Sequence, residues 1–90
     1  MPKLAIYRAL VFFLFSYDLS ERMHVHISNT KSRKGRSAKI WLDTLEIFEQ
    51  GDLSDKEINT VLKLLQRHKS TFEKSIQEFA QVGTVKTINL

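Results

Sequence analysis

Seven consecutive apolar residues, Ala9 to Phe15 (ALVFFLF), constrain the fold more than any other stretch of this sequence. Val and Phe favour strands, and the run is far shorter than the roughly 20 apolar residues that a membrane-spanning helix requires. We therefore interpret residues 10–17 (LVFFLFSY) as a strand. Leu10, Phe12 and Leu14 would line one face, and the intervening residues, also apolar, would line the other. A strand that is apolar on both faces needs cover on both faces.

Two later segments alternate between polar and apolar residues, as strands with one covered face do. They are residues 23–28 (MHVHIS) and 38–43 (AKIWLD). The polar residues 29–36 (NTKSRKGR) between them contain one glycine and predict a long hairpin loop. In one antiparallel register, the apolar residues of both strands lie on the same face of the sheet. It pairs Ile27 with Ala38, His26 with Lys39, Val25 with Ile40, and His24 with Trp41.

After residue 43 the apolar residues recur at helical spacing. Residues 44–51 (TLEIFEQG) predict a short helix that Gly51 ends. Residues 53–68 (LSDKEINTVLKLLQRH) predict a longer helix. Ser54, followed three residues later by Glu57, is the capping-box pattern at its start.

Residues 70–83 (STFEKSIQEFAQVG) predict a last helix. Ser70 and Glu73 repeat the capping pattern at its start. Gly83 is suited to end it, because the residue after a helix often adopts a left-handed conformation. A single helix over residues 55–81 is the alternative.

These patterns predict an α+β fold: a small, mostly antiparallel sheet of three to five strands with two or three helices packed on one face. Residues 3–7 (KLAIY) supply a first strand, and residues 84–90 (TVKTINL) have the composition of a late one. A chain of 90 residues has room for one domain. We expect a single domain over residues 1–90, β-rich over 1–43 and helical over 44–82.

The chain contains no cysteine, which excludes disulfides, thiolate nucleophiles and cysteine-ligated zinc. The apolar run is followed by Ser16-Tyr17-Asp18 and not by the small-residue cleavage site of a secretory leader. We therefore expect a cytoplasmic protein that does not associate with membranes.

The polar face of the predicted hairpin has an unusual composition. Helices on one side of the sheet would leave uncovered the face that carries His24, His26, Lys39 and Trp41, beside an apolar row of the second strand. A surface patch that mixes aromatic and imidazole rings marks a contact site. The leading hypothesis is a non-enzymatic interaction module, acting as a homodimer or with a protein partner, with this face as its contact surface.

His24 and His26 also support a catalytic alternative. An unperturbed imidazole titrates near pH ~6.5, so two neighbouring histidines can act as general acid and general base. With Lys39 holding a phosphate, they would form a metal-free site for RNA cleavage or phosphate handling.

The same two histidines, one residue apart on a strand, could both reach one metal ion. A metal site needs at least a third protein ligand. None of the candidates stands at a spacing that compels such a role, so we expect neither a metal nor a cofactor. These candidates are Asp18, Glu21, Asp43 and His68.

The basic residues of the hairpin loop support a third function. The chain has a net charge of +4, and much of it comes from Lys31, Arg33, Lys34, Arg36 and Lys39. A cationic loop beside an aromatic residue, here Trp41, can hold phosphates and stack a base. Nucleic-acid binding through residues 31–39 is therefore a further alternative.

The order of these segments resembles a bacterial family catalogued as domain of unknown function 4160. The resemblance extends over about residues 1–82, and the segments that carry it are FFLFSYD, HVHIS, SAKIWL and LSDKEINTVLKLLQRH. Members have prolines before the His-x-His strand, where this chain has Glu21-Arg22-Met23. The resemblance implies an α+β fold, marks His24 and His26 as the motif, and implies a two-gene, toxin–antitoxin-like arrangement with another small protein. It implies no established activity or cofactor.

Overall fold

The computed structural model describes residues 2–15, 19–30 and 35–90. Strands and helices follow one another in the order β1 (Lys3–Tyr7), β2 (Leu10–Phe13), β3 (His24–Asn29), β4 (Ala38–Trp41), β5 (Ile47–Glu49), α1 (Asp55–Arg67), α2 (Lys69–Val82) and β6 (Ile88–Asn89). The α+β class is as predicted. Neither α1 nor α2 is long and apolar enough to span a bilayer, and the described part of the chain has no other α-helix.

The strands form one six-stranded sheet in the order β5-β4-β3-β2-β1-β6. β1 and β6 run parallel, with Ala5 opposite Ile88, whereas the other neighbouring strands are antiparallel. The prediction of three to five mostly antiparallel strands is therefore wrong, since the sheet is larger and mixed. β6 has only two residues and pairs with a strand at the other end of the chain, so no local pattern indicates the pairing.

The β3–β4 hairpin has the register that its alternating residues predict. The observed partners are Ile27 with Ala38, His26 with Lys39, Val25 with Ile40, and His24 with Trp41. On the other side of β3, Phe12 lies opposite Ile27 and Phe13 opposite His26. All residues of β2 are buried, as expected for a strand that is apolar on both faces.

Residues 44–51 form a turn and a strand where a short helix was predicted, so that prediction is wrong. After β4, the N–H of Leu45 donates to the carbonyl of Trp41 at 2.7 Å, and the N–H of Trp41 donates to the carbonyl of Glu46 at 2.9 Å. Leu45 has a φ of 62°, which interrupts any helix. The short apolar run that follows, Ile47-Phe48, is compatible with a helix or a strand. It forms the strand β5 because it pairs with the edge of β4.

α1 begins with the capping box that the sequence predicts. The Ser54 hydroxyl oxygen accepts the N–H of Glu57 at 3.1 Å, and Oε1 of Glu57 accepts the N–H of Ser54 at 2.9 Å. Two backbone donors that the helix itself cannot satisfy are thereby paired.

α2 follows α1 with only His68 between them. The N–H of His68 donates to the carbonyl of Leu64 at 2.9 Å, and the carbonyl of His68 accepts the N–H of Phe72 at 3.0 Å. Hydrogen bonding therefore continues across the junction, and α2 starts without a side-chain cap. The cap predicted at Ser70 is wrong for this reason, whereas Gly83, with a φ of 81°, ends α2 as predicted.

Both helices pack on one face of the sheet and share a hydrophobic core with it. Phe12 of β2 and Phe72 of α2 contact each other, with their ring centroids 5.2 Å apart. The core includes Phe12, Val25, Ile27, Ile40 and Leu42 from the sheet side and Ile58, Val61, Leu65, Phe72, Ile76 and Phe79 from the helices. The residues of the candidate site lie on the opposite face.

Candidate functional site

The face opposite the helices carries a continuous row of rings, which we call the aromatic ladder. Its members, in order, are Phe15, Phe13, His26, His24, Trp41 and Phe48. The centroids of neighbouring rings are 5.0 to 5.6 Å apart, a spacing at which aromatic pairs attract each other. The rings that the sequence placed on this face therefore pack against one another.

His24 lies deep within the ladder, with only 1% of its surface exposed. Its Nδ1 is 2.7 Å from the carbonyl oxygen of Arg22. A carbonyl can only accept, so Nδ1 carries a proton and donates it to this bond. A general acid or base must reach the proton that it transfers. With 1% of its surface exposed, the His24 ring has little direct access for such a transfer in this structure.

His26 is half-buried and takes part in the same packing. Its ring stacks on Phe13 with an interplanar angle of 21°, and Phe15 meets it edge-on with centroids 5.3 Å apart. The rings of His24 and His26 are 5.0 Å apart and nearly perpendicular. The structure thus brings the two predicted residues together as packed rings.

Two cations lie over the Trp41 ring. Cζ of Arg22 is 4.7 Å from the ring centroid and Nζ of Lys39 is 4.8 Å from it. Lys39 also lies 4.8 Å from the Phe48 ring and pairs with Glu21 at 3.0 Å. Lys39, predicted to hold a phosphate, is therefore already engaged by a carboxylate and two rings.

Arg22 is the main residue that sequence reasoning missed. Its Nε and Nη2 donate to Oδ2 and Oδ1 of Asp43, each at 2.8 Å, and Nη2 also donates to Thr44 Oγ1 at 3.1 Å. The hydrogen bond from Arg22 holds the pKa of the Asp43 carboxyl below its usual range, and Asp43 in turn raises the pKa of Arg22. The signal was present, because extending the predicted β3–β4 register by two residues sets Arg22 opposite Asp43.

The metal candidates are dispersed. Among residues 2–15, 19–30 and 35–90, no group of three or more His, Asp or Glu side chains is arranged to hold a metal ion. Glu21 Oε2 is 4.0 Å from Nδ1 of His24, Asp43 is held in an ion pair, and His68 lies at the α1–α2 junction. Asp18 lies outside the described residues.

The predicted nucleic-acid site falls partly outside the described residues, which do not include Lys31, Arg33 and Lys34. Arg36 is exposed, and its backbone N–H donates to Oδ2 of Asp52 at 2.8 Å. Trp41, the predicted stacking residue, has the cations of Arg22 and Lys39 over its ring.

The exposed end of the aromatic ladder is Phe48, on β5. Phe48 is 61% exposed and its neighbour Ile47 is 44% exposed. β5 is the last strand at one edge of the sheet, and all of its residues are exposed. Sequence reasoning missed Phe48 because it assigned residues 44–51 to a helix, although Ile and Phe in succession also favour a strand.

The fold and this face together define a small α+β domain with helices on one side of a mixed sheet and a packed aromatic row on the other. The family model described as domain of unknown function (DUF4160) matches residues 10–75 of the 90-residue chain. The chain belongs to this family, and the matched region includes His24 and His26. No curated protein and no solved structure matches the chain.

Proposed function

We propose that this protein is a non-enzymatic interaction module that binds an extended segment of a protein partner along β5. The observation that carries the proposal is the exposure of β5 at the sheet edge, with Ile47 44% and Phe48 61% exposed. An edge strand offers unpaired N–H and C=O groups that a second chain can pair with. Phe48 extends a row of packed rings, so it can anchor a partner at little cost in side-chain entropy.

The charges along β5 favour a basic partner segment. Glu46 and Glu49 flank the two apolar residues, and both are exposed. In a homodimer that pairs two β5 strands antiparallel with Ile47 opposite Phe48, Glu46 of one copy would lie opposite Glu49 of the other. Like charges in directly opposed positions are destabilising. A partner strand with apolar residues between Lys or Arg residues would avoid this repulsion.

The alternatives receive less support from the geometry. Catalysis by His24 and His26 requires substrate access that a 1% exposed His24 lacks. Base stacking on Trp41 requires displacement of the two cations over its ring.

The proposal places the protein in the cytoplasm, which the absence of cysteine supports. The two-gene arrangement that the family resemblance implies would favour a partner encoded beside it, as in toxin–antitoxin-like pairs.

The test is recovery of the tagged protein from its native cell, with partners identified by mass spectrometry. Phe48→Glu should lose the partner. Val82→Glu, which changes an apolar residue that is 67% exposed at the end of α2, should retain it. The bound partner should also slow hydrogen exchange at the amides of residues 47–49, because strand pairing protects them.

Retention of the partner by Phe48→Glu, or protection on another strand, would contradict the proposal. If sedimentation shows a dimer that Phe48→Glu disrupts, the chain that binds along β5 is a second copy of this protein and not a different partner.

A further inference from the structure

A cavity of about 290 Å³ lies between the β1–β2 turn and the start of α1. We propose that it binds a small phosphomonoester, such as a sugar phosphate, independently of the partner segment at β5. The volume is just below the roughly 300–1,000 Å³ found for ligand pockets, which restricts the ligand to a small molecule. Its polar lining consists of Tyr7, Arg8, Asn29, Lys56, Glu57 and Thr60.

Arg8 and Lys56 give the cavity its positive charge. Within the described residues neither side chain forms an ion pair, whereas Arg22 and Lys39 on the opposite face each pair with a carboxylate. Arg8 can donate several N–H groups to phosphate oxygens in a fixed fork, and Lys56 adds a compact charge. Two cations that form no ion pair among the described residues lie beside one cavity, where both can contact the oxygens of a phosphomonoester.

The carboxylate of Glu57 also lines the cavity and offsets one of the two positive charges, but within the described residues it forms no ion pair with either cation. Its Oε1 accepts the N–H of Ser54 at 2.9 Å, and its Oε2 accepts a hydrogen bond from the side-chain amide of Asn29. Both oxygens are thereby held against the wall of the cavity by neutral donors. The lining keeps a net positive charge.

The backbone at Arg8 places its side chain at the cavity. Arg8 has a φ of 54° in the turn between β1 and β2, a conformation that glycine or asparagine adopts more readily. Its guanidinium lies over the Tyr7 ring, 5.2 Å from the centroid, and this contact keeps the side chain next to the cavity.

The hydroxyl groups of the lining suit the other half of the ligand. The Thr60 hydroxyl donates to the carbonyl of Lys56 at 3.1 Å, so its oxygen remains able to accept a hydrogen bond from a sugar hydroxyl. Tyr7 supplies a further hydroxyl group. Because these hydroxyl groups can hydrogen-bond to a sugar, the cavity should bind a sugar phosphate more tightly than free phosphate.

The experiment is a titration of the ¹⁵N-labelled protein with ribose 5-phosphate, inorganic phosphate and ribose, followed by amide chemical shifts. Ribose 5-phosphate should give saturable shifts at Arg8 and Lys56 and should bind more tightly than either fragment. Arg8→Gln and Lys56→Gln should each weaken binding roughly tenfold, because each removes a charge-assisted hydrogen bond. Lys63→Gln, which changes an exposed lysine of α1 outside the cavity, should bind like the unaltered protein.

Circular dichroism establishes that each variant is folded. Equal binding by Arg8→Gln and Lys63→Gln, or ribose 5-phosphate binding no tighter than inorganic phosphate, would overturn the assignment. Because Arg8 lies in the β1–β2 turn and Phe48 lies in β5 at an edge of the sheet, Arg8→Gln should leave partner capture at β5 unchanged. The two proposals can therefore fail separately.

Discussion

Arg22 and Asp43 form a two-pronged ion pair in which two guanidinium nitrogens donate to the two carboxylate oxygens, each at 2.8 Å. The pair joins the segment before β3 to the turn after β4. The same guanidinium lies 4.7 Å from the centroid of the Trp41 ring. One arginine thus closes the open end of the β3–β4 hairpin and covers a ring of the aromatic ladder.

Replacing Arg22 by Gln should raise the pKa of Asp43 toward its ordinary value, because the hydrogen bond from Arg22 is the main cause of its depression. A carboxyl with a lower pKa in the folded than in the unfolded state stabilises the fold above the unfolded-state pKa. That stabilisation disappears as the pH falls through the folded-state pKa.

The check is an NMR titration of the Asp43 carboxyl carbon, together with urea unfolding at neutral and acidic pH. Arg36→Gln, which changes an exposed arginine without contact to Asp43, is the control. An unchanged Asp43 pKa in Arg22→Gln would refute the assigned cause.

His24→Ala should lower the free energy of unfolding by about 2–4 kcal/mol, because it empties a fully buried site between two rings. His26→Ala should cost less, since His26 is only half-buried. Urea unfolding of both variants measures the difference. Equal, small losses of stability in the two variants would show that the His24 ring does not stabilise the fold by packing.

Gly51→Ala should destabilise the fold by roughly 3 kcal/mol or more. Gly51 has a φ of 61°, and an added Cβ would lie 2.4 Å from the carbonyl oxygen of Arg36. Gly83→Ala is the matched control, because it has a φ of 81° but nothing within 4 Å of an added Cβ. It should cost about 1 kcal/mol from the left-handed backbone alone. Thermal unfolding that ranks the two variants in the reverse order would count against the close approach at Gly51.

Ser54→Ala should lower stability by about 1 kcal/mol, because it removes the hydroxyl that accepts the Glu57 N–H. Ser70→Ala should change stability by less than about 0.5 kcal/mol, since Ser70 is exposed and α2 has no side-chain cap. The two serines look alike in sequence, so chemical unfolding of both variants tests the structural distinction directly. A larger loss at Ser70 would restore the cap predicted there.

The pairing of β3 with β4 could be predicted because a period of two fixes both the face and the register of each strand. The pairing of His24 with Trp41 follows from that register, and so does the Arg22–Asp43 pair. The alternation of polar and apolar residues shows which side chains share a face of the sheet. It does not show how much of that face other side chains cover. The burial of His24 depends on the neighbouring rings in three dimensions, which no local pattern contains.

The composition of residues 84–90 indicated a late strand, but β5 and the pairing of β6 with β1 could not be predicted, for a different reason. Each of these two strands, β5 and β6, has two or three residues, which is too short for periodicity to separate a strand from a helix. Such a short segment forms a strand only when the edge of a neighbouring strand is available to pair with it. For β5 that edge is β4, a few residues earlier, and for β6 it is β1.

The position of β6 also sets an order of assembly. The Thr87 hydroxyl donates to the carbonyl of Lys3 across a separation of 84 residues. Residues 87–89 follow the antiparallel strands and both helices along the chain, so they are synthesised after them. The edge of β1 that pairs with β6 therefore lacks its partner until residues 87–89 have been made, and we expect its amides to gain protection last when the chain refolds.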